Sequence, residues 1–224
     1  MRRAPRRSAP KARRRKRLAA AEREQQILAG AIRYFAEVGF SGRTRELAGR
    51  LGITQPLLYR YFPTKQDLIE RVFAEMFLKR IDPAWTRLIR DRTRPLDERL
   101  QEFYRLYSHA TYTYEWIRIY MHSALMGNDI NRRYIGIVER RILKPICAEL
   151  RHACGQRASR RGAISALELE HVWVMHGGLF YYAVRKYVYR SRVAGDFAAV
   201  VRRAVAGMIA GLRAGAKGER RIGR

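Results

Sequence analysis

Within one short stretch, Gln55-Pro56-Leu57-Leu58-Tyr59-Arg60-Tyr61-Phe62, this chain sets a carboxamide, a guanidinium and two phenols among apolar groups. Thr54 is placed to cap a helix here, and Pro56 falls in its first turn, where a missing N–H costs nothing. Pro56 cannot donate to the Thr54 hydroxyl, so the cap should fall on the N–H of Leu57. Leu58 and Phe62, four apart, then point inward together with Ile53. That leaves Gln55, Pro56, Leu57, Tyr59 and Arg60 on the outer face. Such a face suits the base edges of a DNA major groove. A carboxamide pairs bidentately with adenine, and an exposed Pro-Leu pair can meet thymine methyls.

Reactive chemistry has less to build on. His171 and His176 are five apart, not the three or four that bring two metal ligands onto one helix face. There is no glycine-rich phosphate loop and no nucleophile elbow. The expectation is a protein without catalytic residues, metal or cofactor. Cys147 and Cys154, seven apart, are too few for a disulfide framework and read as reduced thiols.

The outer face needs a scaffold to present it. Residues 41–51 read as a helix with Leu47, Ala48 and Leu51 on one side, and Gly52 supplies the reversal into the helix at 54–62. Two helices joined by a short glycine turn make a helix-turn-helix, although many αα-hairpins share the spacing. Before it, Ile27, Ala31, Phe35 and Val38 form the buried stripe of a helix over 19–38, which Gly39 ends. After it, Thr64 opens a helix to about residue 80 with Leu68, Val72 and Met76 inward. From Asp82 onward helices are expected over 96–113 (burying Leu100, Phe103, Tyr104, Tyr107 and Thr111), 115–126, 130–153 (bent near Pro145), 166–189 and 196–214, the last capped by Asp196, with a polar, basic loop over 155–161. No alternating strand pattern occurs, so the chain reads as all-α.

Charge points to a polyanion. The chain carries 47 Lys and Arg against 20 Asp and Glu, a net +27 over 224 residues. A surplus of that size favours nucleic acid first and an anionic membrane second. It is uneven: residues 1–17 hold ten cations and no acid, residues 18–80 ten against seven, and residues 81–224 the remaining 27 against 13. The first stretch should stay extended as an arm that raises affinity by neutralising phosphates. No apolar run reaches the roughly 18 residues a membrane span needs, and no signal-peptide core follows the basic start. A cytoplasmic protein is expected.

The run Leu58-Tyr-Arg-Tyr-Phe-Pro-Thr-Lys-Gln-Asp-Leu68, with Tyr34-Phe-Ala-Glu-Val-Gly-Phe40, Arg45-Glu-Leu-Ala48 and Leu51-Gly-Ile-Thr54, closely resembles the DNA-binding domain of the TetR family of bacterial transcriptional regulators. The resemblance covers residues 22–77. It implies base and phosphate contacts at Gln55, Pro56 and Leu57, and phosphate contacts at Tyr59, Tyr61 and Lys65; the cap Thr54 and the outward-facing Arg60 are counted with them as DNA-binding residues. It also places Thr44 on a phosphate and Arg45 near a base, where Arg reads guanine O6 and N7. The competing role for Arg45 is a surface ion pair with Glu46. One position departs from the family: Arg43 stands where a capping Thr is usual, so Ser41 or Thr44 is expected to take the cap.

The same resemblance implies a second domain with an effector pocket and a dimer interface. Tyr104, Tyr107, Trp116, Tyr120, Met121, Trp173 and His176 are the pocket candidates, since an aromatic body with a polar tip suits an apolar effector. At helical spacing such residues also serve as plain core. The last two helices, with Gly177-Gly178 allowing close approach, would form the dimer contact through Val184, Tyr187, Val201, Val205, Met208 and Leu212.

The organisation expected is a disordered basic arm (1–18), a DNA-binding domain (19–80), an effector and dimerisation domain (81–214) and a flexible tail (215–224). The function expected is that of a homodimeric repressor. Its partners would be a palindromic double-stranded operator and a small apolar or aromatic effector, with no membrane. Effector binding would reset the helix at 64–80 and so change the spacing of the two reading heads. The rival expectation is a charge-driven DNA-organising or membrane-surface protein with no effector.

Overall fold

The structure, a computed structural model, describes residues 10–125, 129–155 and 163–222. Among these residues there are helices and no strand: α1 (Pro10–Val38), α2 (Thr44–Arg50), α3 (Gln55–Tyr61), α4 (Lys65–Phe73), α5 (Ala84–Arg90), α6 (Leu96–Thr111), α7 (Tyr114–Leu125), α8 (Asp129–Val138), α9 (Lys144–Ala153), α10 (Ala166–Tyr187) and α11 (Phe197–Ile222). Two π-helical segments, Ala74–Leu78 and Glu139–Leu143, follow α4 and α8. The fold is all-α. The chain divides into two compact units, residues 1–73 and 74–224.

In the first unit Ile27, Ala31 and Phe35 of α1 are buried as their spacing predicts, Val38 is half-buried, and Tyr34 joins the core beside them. Leu47 and Ala48 of α2, Leu58 and Phe62 around α3, and Leu68 and Val72 of α4 complete it. The Tyr34 hydroxyl donates to Glu46 at 3.0 Å, and Arg50, which donates to the same carboxylate at 2.9 Å, lies over the Tyr34 ring at 4.9 Å. This cluster pins α2 across α1. Helix α1 starts at Pro10, well before residue 19, so part of the stretch read as an extended arm is helical in its backbone. Proline is at home in a first turn, and Lys, Arg and Ala are strong helix formers. Like-charge pairs on a helix oppose this by only tenths of a kilocalorie each. The rest of the arm, residues 1–9, lies outside the described residues.

Helix α4 passes into a π turn, with the Lys79 N–H reaching back five residues to Ala74 O at 3.0 Å. The buried doublets Leu68-Ile69, Val72-Phe73 and Met76-Phe77 recur every four residues. An α-helix turns about 40° too far per four residues to keep such doublets on one line, and a wider turn takes up the drift. The second π segment sits just before Pro145, which has no N–H to continue the α ladder.

The second unit is organised around aromatic rings and one buried ion cluster. Leu100, Phe103, Tyr104, Tyr107 and Thr111 of α6 are buried as expected. Glu149 of α9, almost fully buried, accepts three hydrogen bonds from the Arg92 side chain at 3.3, 3.0 and 2.9 Å and one from buried Arg99 at 3.0 Å. Burial pushes the Glu149 carboxyl up, but the two guanidinium groups win and hold it below the usual carboxylate range. Ser165 and Glu168 form a reciprocal capping box at the start of α10, and Arg151 clamps Glu168 at 2.6 Å. That carboxyl is pulled down to about 2, chiefly by Arg151. Asp196 caps the next helix through the Ala199 N–H at 2.9 Å, as expected. Helix α11 runs on to Ile222, into the stretch read as a flexible tail. The basic loop expected over 155–161 lies, beyond Gly155, outside the described residues.

Glu149→Ala should cost about 3–5 kcal/mol in urea unfolding, because it leaves the Arg99 charge buried without a counter-ion. Arg92→Ala, which removes a half-exposed partner, should cost about 1 kcal/mol or less.

Candidate nucleic-acid interface

The reading face is built by one turn and one cap. Gly52 holds φ +63°, a left-handed conformation in which a side chain would be strained. The Ile53 N–H closes the turn on Ala48 O at 3.0 Å. Thr54 then caps α3, its hydroxyl accepting from the Leu57 N–H at 3.3 Å, with Pro56 in the first turn. This is the bond Pro56 dictates. Leu58 and Phe62 point inward, Ile53 is half-buried at the corner, and Thr54, Pro56, Tyr59 and Arg60 are exposed. Gln55, Leu57, Tyr61 and Lys65 are half-buried.

The structure brings three of the nominated residues into direct contact. Thr44, at the start of α2, shares a hydrogen bond of 2.9 Å with the Tyr59 hydroxyl and accepts one of 3.1 Å from Gln55 Nε2. Only 9% of Thr44 is exposed, so its hydroxyl ties α2 to α3. Arg45 is exposed, and Glu46, its alternative partner, is taken by Arg50 and Tyr34. Arg43 occupies the N-cap position of α2 without a side-chain cap. Neither stand-in fills the role: the Ser41 hydroxyl donates to Val38 O at 3.4 Å, and Thr44 is engaged with α3. The Tyr34–Glu46–Arg50 cluster behind this face went unnoticed in sequence, although Glu46 and Arg50 stand at the i,i+4 spacing of an ion pair.

Residues 27–72, which contain every part of this face, match the family model for bacterial regulatory proteins of the tetR family. The chain carries a TetR-family DNA-binding domain. Members of that family are DNA-binding transcriptional regulators. Solved structures similar in fold include three TetR-family chains. One from Streptomyces coelicolor shares 22% identity at a TM-score of 0.60, covering 89% of this chain and 83% of that one. One from Mesorhizobium loti MAFF303099 shares 17% at 0.55, covering 87% and 96%. One from Pseudomonas syringae pv. tomato str. DC3000 shares 18% at 0.52, covering 85% and 95%. No curated protein matches. Among the described residues no helix is long and apolar enough to cross a membrane.

Behind the TetR-type domain in sequence, the pocket candidates of the second unit lie in a packed ring cluster. Tyr104, Tyr107, Trp116 and His176 are buried, and Tyr120, Met121 and Trp173 half-buried. Tyr107 and Tyr134 share a hydroxyl–hydroxyl bond of 2.9 Å, and Tyr104 OH lies 3.4 Å from His176 Nδ1. Trp116 stacks on Tyr120 at 5.1 Å, and Trp173 meets the His176 ring edge-on at 5.6 Å. Burial raises the hydroxyl pKa values of Tyr104, Tyr107, Tyr112 and Tyr134. Two polar atoms in this region, Trp116 Nε1 and the Tyr112 hydroxyl, are buried without a hydrogen-bond partner. A cleft of about 590 Å³ runs between α6, α10 and α11, and none of the seven candidates lines it.

Four of the six expected interface residues need correction. Val184, Val201, Val205 and Met208 are buried within the chain's own core, and Tyr187 and Leu212 are half-buried. The exposed apolar residues of α10 are instead Leu167, Val174 and Tyr181, seven residues apart. Both helices carry apolar side chains on more than one face, and periodicity does not say which face the chain keeps for itself.

Burial lowers the His176 pKa from 6.5 to about 4. The unfolded chain therefore binds the extra proton first as pH falls, so stability is full at neutral pH and declines below about 6.5, the loss ending near 4. Between pH 7 and pH 5 this amounts to about 2 kcal/mol. In urea titrations at those two pH values, His176→Gln should remove that difference, with the slope of the wild type left as the reference.

Proposed function

We propose that the protein is a homodimeric, sequence-specific transcriptional repressor that an effector releases from its operator. The observation that carries this reading is the face of α3, where Thr54, Gln55, Pro56, Leu57, Tyr59 and Arg60 are held outward by a capped helix anchored through Leu58 and Phe62. With α3 in the major groove, Gln55 and Leu57 read base edges and Arg45 adds a guanine contact from α2. Tyr59, Tyr61, Arg60 and Lys65 hold phosphates and fix the register, with the buried Thr44 hydroxyl bracing Tyr59 and Gln55 from behind. Gln55 exchanges its bond to Thr44 for one to a base on binding.

The second copy docks on α10 and α11. Leu167, Val174 and Tyr181 give α10 an exposed heptad-spaced stripe, and a Cβ added at Gly177, Gly178, Gly207 or Gly211 would meet nothing within 4 Å. An apolar stripe flanked by glycines suits close antiparallel or crossed packing against its own copy. Two heads in a symmetric dimer read half-sites about one helical turn apart, roughly 34–36 Å. Effector binding in the second unit acts through the segment at 64–80 to alter that separation. Against the charge-driven alternative stands the small surplus of the reading domain itself: ten cations against seven acids over residues 18–80.

Selection of bound sequences from random DNA tests the reading directly. A palindromic winner preferred about 10³-fold or more over random DNA is expected; a binder with no preference and a steep salt slope would sink it. On the selected site Leu57→Ala should relax the choice at one or two base pairs, at about 1–3 kcal/mol each. Lys65→Ala should weaken all sequences alike. Val174→Glu should convert the dimer to monomer in sedimentation while leaving the helical spectrum intact.

A further inference from the structure

We infer that the cleft between α6, α10 and α11 binds a small organic monoanion with a flat apolar body, an aromatic carboxylate. This deepens the effector reading and depends on it only for the consequence at DNA. The cleft volume, about 590 Å³, lies within the range that takes a small ligand. Its floor is made of rings. Tyr182 and Phe197 meet at 4.8 Å, and Tyr112 stands edge-on to Phe197 at 6.0 Å. The Tyr182 hydroxyl donates to Ala194 O, so that ring is held in place. Val201, on α11, closes the floor between them. A planar aromatic body stacks or sits edge-on against such a surface.

The rim selects the charge. Four cations line it, Arg94, Arg105, Lys186 and Arg202, against two acids, Glu98 and Glu102. Both acids have an arginine: Arg105 holds Glu102 in two hydrogen bonds of 2.9 and 2.8 Å, and Arg94 lies 3.9 Å from Glu98. Arg202 faces Asp196 at 3.6 Å. No carboxylate therefore waits for a cationic ligand. Lys186 differs from the other three, since its ammonium lies over the Tyr187 ring at 5.0 Å and makes no ion pair among the described residues. One uncommitted ammonium above an aromatic floor fits one carboxylate better than a phosphate, which would call for several donors. At the inner end Tyr112 is 9% exposed, and its hydroxyl has no partner.

The test is calorimetric titration of the full chain with 2-naphthoate and with 2-naphthamide, its uncharged counterpart. Naphthoate should bind one site per chain about tenfold or more tightly than the amide, as a charge-assisted bond would give. Lys186→Gln should bring naphthoate down to the amide's affinity. Ala198→Trp, a change at an exposed lining residue of α11, should fill the cleft and abolish both. Equal binding of acid and amide, or indifference to either substitution in a variant that keeps its helical spectrum and melting temperature, overturns the assignment. Absence of binding overturns it too and leaves the DNA reading standing. Binding that meets all three expectations but leaves the complex with selected DNA unchanged keeps the site and sinks the effector reading.

Discussion

The reading domain depends on a turn that only glycine takes without strain. With φ at +63°, Gly52 reverses the chain so tightly that the Ile53 N–H bonds Ala48 O and Thr54 arrives in the extended conformation of a helix cap. The angle between α2 and α3 is set there, within three residues. Everything on the outer face inherits that angle. The Thr44 hydroxyl reaches Tyr59 and Gln55 only because the first turns of the two helices are brought together. A side chain at position 52 would meet no neighbour, so the constraint is conformational and not one of space.

The second unit solves a different problem, that of placing polar groups inside an aromatic core. Tyrosine and histidine supply large apolar bodies, but each brings a polar atom that costs free energy unless it is bonded. Tyr107 and Tyr134 satisfy each other, and Tyr104 is directed to His176, which burial keeps neutral. Tyr112 and Trp116 remain unsatisfied. Buried orphans of this kind are rare in folded chains and mark places where stability gives way to something else. The Glu149 cluster shows the opposite economy, since its carboxylate receives bonds from both arginines and α9 is fixed against the loop before α6.

Much of this was legible in the sequence, and what was not has identifiable causes. The cap from Thr54 to Leu57 could be read because proline removes the only competing donor. The inward positions of α1, α3 and α6 could be read because one apolar stripe faces one core. On α10 and α11 that logic failed: Val184, Val201 and Val205 belong to the chain's own core, while Leu167, Val174 and Tyr181 stay exposed. Two apolar faces on one helix give no hint of which is private. The π turn at 74–78 was invisible because its signal, a four-residue repeat of doublets, looks like an ordinary stripe over so short a span. The capping box of Ser165 and Glu168 was there to be found, and so was the Glu46–Arg50 spacing. Arg99 and Glu149 were not, since they meet across 50 residues of chain.

The proposed function puts affinity and specificity in different parts of the molecule. Residues 18–80 have a surplus of three cations, a small share of the total +27, so the reading domain by itself gains little from counter-ion release. What it brings is pre-organisation. Thr44, Gln55 and Tyr59 are held in one hydrogen-bonded arrangement before any partner arrives, which lowers the ordering cost of an interface made from them. The same bonds set a threshold: a base or phosphate must offer Gln55 and Tyr59 at least what Thr44 already does. Under the proposed function this threshold is the source of specificity, since only a base edge that matches the carboxamide would replace the lost bond in full. On that proposal bulk charge brings DNA to such a surface, and the exchange of internal for external bonds decides which DNA stays.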